Sequence, residues 1–171
     1  PKLNVYCDAD LAGDHLTCKS HSGIYVVLDF GDGESSFPLS WSSKRQTAVA
    51  RSTTEAELAS ANEGVFQDGI PIKILLERVL GSEVRTALCE DNTACISVIQ
   101  AGYSPKLRSM SRTHRISVAA LSEAITTQVI DIEHVESKLQ LADILTKALN
   151  RIIFLQLRNM IGVGNPLETQ T

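Results

Sequence analysis

The sequence predicts an α/β domain with a five-stranded mixed sheet, three antiparallel strands followed by parallel strands, and helices flanking the sheet. Two observations carry this prediction. Strand-like segments occupy most of the first 45 residues, and from residue 52 onward helical and strand-like patterns alternate. The length of 171 residues suits a single domain with a sizeable core.

The first three strands are predicted at residues 3–8, 23–30 and 37–42, where apolar and polar residues alternate or β-branched and aromatic residues cluster. A Gly-Asp-Gly sequence at residues 31–33 marks a turn. Because the links are short, the three strands are expected to form an antiparallel meander. Pro38 suits an edge strand or a bulge, since it lacks the N–H that a central strand donates.

The helices begin at Ser52, which with Glu55 has the spacing of a capping box. This helix is expected to run to about residue 65 and to break or kink at Pro71. The remaining predicted elements are a helix at 72–80, a strand at 84–89, a helix at 93–100 capped by Asp91 or Asn92, a helix at 116–125, a strand at 129–135, and helices at 139–149 and 152–161. The domain is expected to span residues 1–161, with 162–171 as a disordered tail.

The composition is that of an ordinary globular protein, with 43% hydrophobic residues, 21% charged residues and a mean hydropathy of +0.02. No apolar run approaches the roughly 18 residues of a membrane-spanning helix. The first residues resemble no signal peptide and enter a strand at once, which suggests a piece of a longer chain. The four cysteines form no CxxC pair, so reduced thiols in a cytosolic protein are expected.

Charge is distributed unevenly along the chain. The net charge of −4 is not typical of a nucleic-acid-binding protein. Residues 101–122, however, contain no acid, and their basic and imidazole side chains are Lys106, Arg108, Arg112, His114 and Arg115. We call residues 101–117 the basic segment. A solvated loop and a phosphate-binding surface are both consistent with it.

Acidic residues stand at four points where they can face a common site. Asp8 closes the first strand, and Asp10, two residues later, shares its face. Glu55 and Glu57 are about 200° apart on their helix, so they cannot serve the same site. Since Glu55 completes the capping box, Glu57 is the one free to face elsewhere.

Asp91 follows a strand at the point where a helix begins, a position where ligands gather in α/β proteins. Asp143 lies in the first turn of a predicted helix, where an acid is favoured by the helix dipole. Each acid alone suits a solvated position or an N-cap. A cluster of them would stay ionised only beside cations, and oxygen ligands suit Mg²⁺ or Mn²⁺.

Four sequence blocks resemble the ribonuclease H (RNase H) domain of copia-type LTR retrotransposon Pol polyproteins. They are YCDADLAGD with KSHSG after it, LSWSSKRQTAVARSTTEAELASA, ALCEDNTACISV and SKLQLADILTKAL. The blocks run in the family's order and with its spacing from about residue 5 to residue 149. Together they are far more specific than any one block.

The resemblance implies an RNase H-like fold and an endoribonuclease that hydrolyses the RNA strand of RNA/DNA hybrids by two-metal-ion catalysis. It implies two Mg²⁺ ions, with Mn²⁺ able to substitute, and an upstream reverse transcriptase domain as partner. A cytoplasmic virus-like particle and no membrane are also implied. Residue by residue, the catalytic and metal-binding set falls on Asp8, Glu57, Asp91 and Asp143, with Asp10 as the rival to Asp8.

The chain departs from the family pattern at several positions. Leu11 stands where a Trp is usual, and Pro71 falls where the family has a long continuous helix. The loop at residues 136–140 lacks the His that many cellular enzymes carry, and His134 lies in a predicted strand. Residues 112–117 read RTHRIS where family members often read RTKHID.

Hybrid binding requires that RNA be told from DNA, and the 2′-hydroxyl is the natural reporter. Candidates to contact it are Asn92, Ser52 and Thr53. The DNA strand would be held through its phosphates by Lys106, Arg108, Arg112 and Arg115, with Lys44 and Arg45 as a second possibility. Such binding is expected to be sensitive to salt and nearly independent of sequence.

Three other functions are weighed against this one. An inactive RNase H-like binding or structural module is disfavoured by the presence of all four acids. An integrase or transposase core needs a late catalytic Glu, but residue 126 is Thr126 and Glu123 fits poorly. An unrelated interaction domain leaves the ordered blocks unexplained.

Overall fold

The computed structural model describes residues 1–31 and 35–164. Its centre is a five-stranded sheet in the order β3-β2-β1-β4-β5. The strands are β1 (Lys2–Asp14), β2 (Lys19–Asp29), β3 (Ser36–Arg45), β4 (Arg85–Glu90) and β5 (Asp131–His134). The β1–β2 and β2–β3 pairs are antiparallel, whereas β4 is parallel to both β1 and β5. The predicted mixed sheet is confirmed.

Most helices in the described residues lie near their predicted positions, with changes at their ends, but a short helix at Met110–Thr113 forms in a segment predicted as a loop. The helices are α1 (Thr53–Glu63), α2 (Ile70–Leu80), α3 (Thr93–Ala101), α4 (Met110–Thr113), α5 (Val118–Thr126) and α6 (Arg151–Met160). No helix in the described ranges has the length and apolar character needed to cross a membrane. Most of the predicted turn at 31–33 and most of the predicted tail at 162–171 lie outside the described residues.

The expected break at Pro71 is wrong. A π-helical segment, Gly64–Gly69, joins α1 to α2, and the N–H of Ile70 donates to the carbonyl of Val65 across its wider turn. Pro71 thereby falls in the first turn of α2, where a missing N–H is tolerated and the ring's φ suits a helix. The chain stays helical from α1 through α2.

The predicted helix at residues 139–149 is also wrong. Two 3₁₀ turns, Ser137–Leu139 and Leu141–Leu145, flank Gln140, whose backbone is extended. The fully buried side-chain amide of Gln140 donates to the carbonyl oxygens of Cys7, at 3.0 Å, and of Cys89, at 3.3 Å. This amide draws the segment onto the adjacent strands β1 and β4, because a buried polar group must find partners.

Two apolar clusters hold the sheet between helices. On one face, buried residues of β1, β2 and β4 pack with α1, α3 and α5, and Leu58, Leu88 and Leu121 are fully buried there. On the other face, Tyr25 and Leu157 anchor a smaller cluster that includes α6. This packing fixes the carboxyl ends of β1 and β4 relative to the start of α1.

Candidate active site

Asp8 lies in the middle of β1, two residues past the stretch that pairs with β4. Its carboxylate is 2% exposed and accepts a hydrogen bond from the hydroxyl of Thr146. Asp10 lines the same pocket on the same strand, and its side chain reaches toward Gly13. Of these two acids, only Asp8 shares a close group with other carboxylates in the described ranges.

Glu57 reaches the site from the first turns of α1. The Ser52 hydroxyl caps this helix by accepting from the N–H of Glu55. The predicted capping box is incomplete, because the carboxylate of Glu55 accepts from the N–H of Arg51, at 2.9 Å, instead of that of Ser52. Glu55 and Glu57 do face different neighbours, and Glu57, 4% exposed, lies beside Asp8.

Asp91 follows the last residue of β4 and precedes α3. The sequence offered Asp91 and Asn92 as N-caps of α3. Asn92 is the cap, because the side-chain oxygen of Asn92 accepts from the N–H of Cys95 at 3.0 Å. The carboxylate of Asp91 is therefore free of a capping role. It lies in the pocket that Asp8 and Glu57 also line.

The structure brings three of the four predicted acids together. One carboxylate oxygen from each of Asp8, Glu57 and Asp91 lies within 4.8 Å of the other two. We call these residues the carboxylate triad. Asp143 is outside the triad, but it is near enough to Asp8 for the charge of Asp8 to raise its pKa. Its Oδ1 lies 2.8 Å from Nζ of Lys147, which in turn lies 3.4 Å from Oδ1 of Asp8.

Burial and the charges of neighbouring acids raise the pKa of Glu57 and Asp143. For Glu57, burial and the charges of Glu90, Asp8 and Asp91 raise the pKa to about 10. Burial, opposed by Lys147 and assisted by Asp8, raises the pKa of Asp143 to about 7. Burial lowers the pKa of Lys147, but its bonds to Asp143 and the charge of Asp8 raise it on balance. Without a bound cation, the site therefore favours the protonated form of Glu57 at neutral pH.

The residues of the site fit a divalent cation. Their ligand atoms are carboxylate oxygens, the donors that Mg²⁺ and Mn²⁺ prefer. Oε2 of Glu57 is buried and has no hydrogen-bond partner in the part of the chain that the structure describes. A buried carboxylate oxygen without a partner is costly, and a bound cation would satisfy it.

Sequence reasoning missed three residues around the triad. Glu90, the last residue of β4, is fully buried, and burial raises its pKa to about 8. Lys147 and Thr146 contact Asp8 from the segment that carries Asp143. The spacing of four residues between Asp143 and Lys147 was a usable signal. Glu90 could have been noticed as a second acid beside Asp91.

The predicted nucleic-acid contacts lie around this pocket and on the basic segment. Thr53 and Asn92 line the pocket, while the hydroxyl of Ser52 is engaged in capping. The four exposed cations of the basic segment are Lys106, Arg108, Arg112 and Arg115. The alternative pair is less available, because Lys44 pairs with Glu63 at 3.2 Å and Arg45 with Asp14 at 2.6 Å.

The chain is similar to parts of known transposon proteins. It is 30% identical over 161 residues to the retrovirus-related Pol polyproteins from transposons RE1 and RE2 of Arabidopsis thaliana. It is 29% identical over 166 residues to that from transposon TNT 1-94 of Nicotiana tabacum. These alignments cover 94–95% of the chain but only 10–12% of each polyprotein. No family model matches the chain.

Solved structures of RNase H1 proteins share the fold. LC11-RNase H1, isolated from compost, gives a TM-score of 0.54 at 16% identity, covering 85% of this chain and 92% of that one. RNase H1 from the archaeon Halobacterium salinarum gives 0.51 at 13% identity, covering 85% and 95%. The predicted fold and the predicted resemblance to Pol polyproteins are confirmed.

Proposed function

Because the chain has the RNase H fold and is a homologue of one segment of retrovirus-related Pol polyproteins of plant transposons, we propose that it is a ribonuclease H. The proposed reaction is hydrolysis of the RNA strand of an RNA/DNA hybrid during reverse transcription. The carboxylate triad of Asp8, Glu57 and Asp91 is the observation that carries the proposal. The three acids are far apart in the sequence. In the fold they line one pocket, which lies beside β1 and the end of β4.

Two Mg²⁺ ions are the proposed cofactors, with Mn²⁺ able to substitute. Asp8, Glu57 and Asp91 would hold one ion, and Asp8 together with Asp143 would hold the other. When bound, such ions lower the pKa of an attacking water and stabilise the leaving oxygen of a phosphodiester. The raised pKa values of Glu57 and Asp143 support this assignment, since bound cations would favour their ionised forms.

The chain's own side chains hold these ligands in place. The Thr146 hydroxyl donates to Asp8, and Lys147 balances the charge of Asp8 and Asp143. Asn92 caps α3 and so orients the turn that carries Asp91. These contacts would keep the carboxylates in one arrangement when a charged backbone approaches.

Recognition of the hybrid is proposed to use two surfaces. Thr53 and Asn92 in the pocket, with Ser52 beside them, would contact the RNA strand near its 2′-hydroxyls. The basic segment would hold the phosphates of the DNA strand through Lys106, Arg108, Arg112 and Arg115. An upstream reverse transcriptase domain and a cytoplasmic virus-like particle are the proposed setting, based on the polyprotein relatives.

A labelled RNA/DNA hybrid tests the proposal directly. The protein is incubated with the hybrid in Mg²⁺, in Mn²⁺ and in EDTA, beside an Asp91→Asn variant. The expected result is cutting of the RNA strand alone, dependent on metal and lost in the variant. Cutting that persists in Asp91→Asn would show that the site is misassigned. A folded protein that cuts in neither metal would contradict the enzyme proposal for this chain.

An inactive hybrid-binding module is the alternative. The ion pairs of Lys147 with Asp143 and Asp8 favour it, because they neutralise part of the site without any metal. A binding measurement with the same hybrid separates the two functions. The module predicts binding without cutting, with metal leaving the thermal stability unchanged, whereas the enzyme predicts that Mg²⁺ raises it.

A further inference from the structure

His114 and Glu55 form a buried polar contact between the basic segment and the start of α1. Nε2 of His114 lies 3.2 Å from Oε1 of Glu55, and the two side chains are only 3% and 4% exposed. Neither atom has a hydrogen-bond partner among the residues that the structure describes, so the pair is a close polar contact without the geometry of a hydrogen bond. The carboxylate triad does not use this contact, since Glu55 and Glu57 face different neighbours.

The contact is one of several that fasten the basic segment to the body of the protein. Met110 and Ile116 are buried in the main core on either side of it. Arg51, just before α1, donates from its guanidinium to the hydroxyl of Ser109 at 3.0 Å. The segment is therefore held inward along one side, while its four cations remain exposed on the other.

Arg115, next to His114, has a backbone conformation that the contact helps to maintain. Its φ is +57°, in the left-handed region that residues other than glycine rarely adopt. His114 and Ile116 are anchored on its two sides. An unfavourable backbone conformation persists when its neighbours are fixed in this way. The anchors thus set the direction in which the Arg115 side chain leaves the backbone.

We propose that His114 is a positioning residue for hybrid binding: through its contact with Glu55 it places the cations of the basic segment at a fixed distance from the carboxylate triad. The inference rests on the proposed function. The physical reason lies in α1, which carries both Glu55 and Glu57 within its first turns. Because α1 is a single helix, it fixes the distance between the basic segment, which contacts Glu55, and the triad, which contains Glu57.

The test measures binding separately from cutting. Affinity for a short fluorescent RNA/DNA hybrid is measured in EDTA as a function of salt, for wild type and four variants. These are His114→Ala, His114→Gln, the triple variant Arg108→Ala/Arg112→Ala/Arg115→Ala, and a combination of the triple variant with His114→Ala. Arg78→Ala, an exposed arginine of α2 with no acid paired to it among the salt bridges of the described ranges, is the charge control.

The expected pattern is specific to positioning. His114→Ala lowers affinity about fivefold or more and reduces the slope of log affinity against log salt, by about 0.9 for each phosphate that the protein no longer neutralises. Its effect is much smaller in the triple variant, because only Lys106 remains of the cations through which it acts. His114→Gln, which retains a donor for Glu55, recovers most of the affinity. In cleavage assays KM rises and kcat changes little, since the triad is intact.

Other outcomes overturn the inference. Equal loss from His114→Ala in the wild-type and triple backgrounds would show that the residue acts independently of the cations. A folded His114→Ala protein that binds like Arg78→Ala would show that the contact only packs the segment. If His114→Ala does not fold, Glu55→Asp, which shortens the reach to His114 but keeps the charge, carries the same comparison. A wild-type protein that binds no hybrid would overturn the proposed function and this inference together.

Discussion

Nζ of Lys147 lies 2.8 Å from Oδ1 of Asp143, so a side-chain ammonium group lies at the edge of the carboxylate triad. It also lies 3.4 Å from Oδ1 of Asp8. A divalent ion held by Asp8 and Asp143 would have to share these oxygens with the ammonium group or displace it. The metal affinity of the site should therefore depend on Lys147.

Lys147→Met is expected to tighten Mg²⁺ and Mn²⁺ binding by about tenfold, because no ammonium competes for the same oxygens. In EDTA the variant should melt about 2–4 °C lower, since the repulsion between Asp8 and Asp143 is no longer balanced. Calorimetric titration with metal and thermal melts measure the two effects. Lys44→Met, which removes the exposed partner of Glu63, is the matched control. Metal affinity equal to or weaker than that of wild type would contradict the competition.

Buried acids should make the metal-free protein less stable as the pH rises. Burial raises the pKa of Glu57 to about 10 and that of Glu90 to about 8, above the value of about 4.3 in an unfolded chain. The stability that these two carboxyls contribute in their protonated form is fully present below the pKa of the unfolded chain. It is lost as the pH rises through the pKa values of the folded protein. Each group lowers the free energy of unfolding by up to about 1.4 kcal/mol per pH unit within its window.

Urea unfolding in EDTA at pH 5, 7 and 9 checks this slope. Both Glu57→Gln and Glu90→Gln should flatten it, because each removes a group that must ionise. They should differ with metal: Mg²⁺ should still raise the melting temperature of Glu90→Gln but not that of Glu57→Gln. A slope that is unchanged in both variants would mean that these carboxyls do not govern the pH dependence.

Gly23 lies opposite Asp8 in the β1–β2 ladder, where the segment carrying Asp143 crosses the sheet. A Cβ added there would lie 2.6 Å from Cγ2 of Thr146 and 2.8 Å from the carbonyl oxygen of Ala142. Gly23→Ala should therefore push this segment outward, costing about 1–3 kcal/mol of stability and weakening metal binding. Gly164→Ala, where nothing lies within 4 Å of the added carbon, is the control. Unchanged stability and metal affinity in Gly23→Ala would count against this close packing.

Leu58 joins the core to the residue that reaches the triad. It is fully buried and follows Glu57 directly on α1. Leu58→Ala should lower the free energy of unfolding by about 2–5 kcal/mol, because apolar burial is reduced and a cavity is left behind. Leu75→Ala on α2, where the side chain is 60% exposed, should change it by about 0.5 kcal/mol or less. Denaturant unfolding of both variants checks the contrast.

Local patterns in the sequence were sufficient for most elements. The alternation in the first strands, the cap at Ser52 and the Asn that begins α3 are all properties of a few neighbouring residues. The structure has these elements where the patterns predict them, although β1 runs six residues further than predicted, to Asp14. The two errors, at Pro71 and at residues 139–149, arose where distant contacts or a π-helical turn overrode local propensity. The buried amide of Gln140, bonded to the carbonyls of Cys7 and Cys89, has no local signature.

The order and type of most elements, the four family-like blocks and the candidate acids can all be identified from the sequence. These depend on periodicity, capping and residue type, which are written along the chain. Tertiary packing alone selects Asp8 rather than Asp10 as the partner of Glu57 and Asp91, and leaves Asp143 outside that group. It also placed His114 against Glu55. These contacts depend on which side chains packing brings within a few ångströms, and no local pattern in the sequence shows that residues 34 to 83 positions apart will meet.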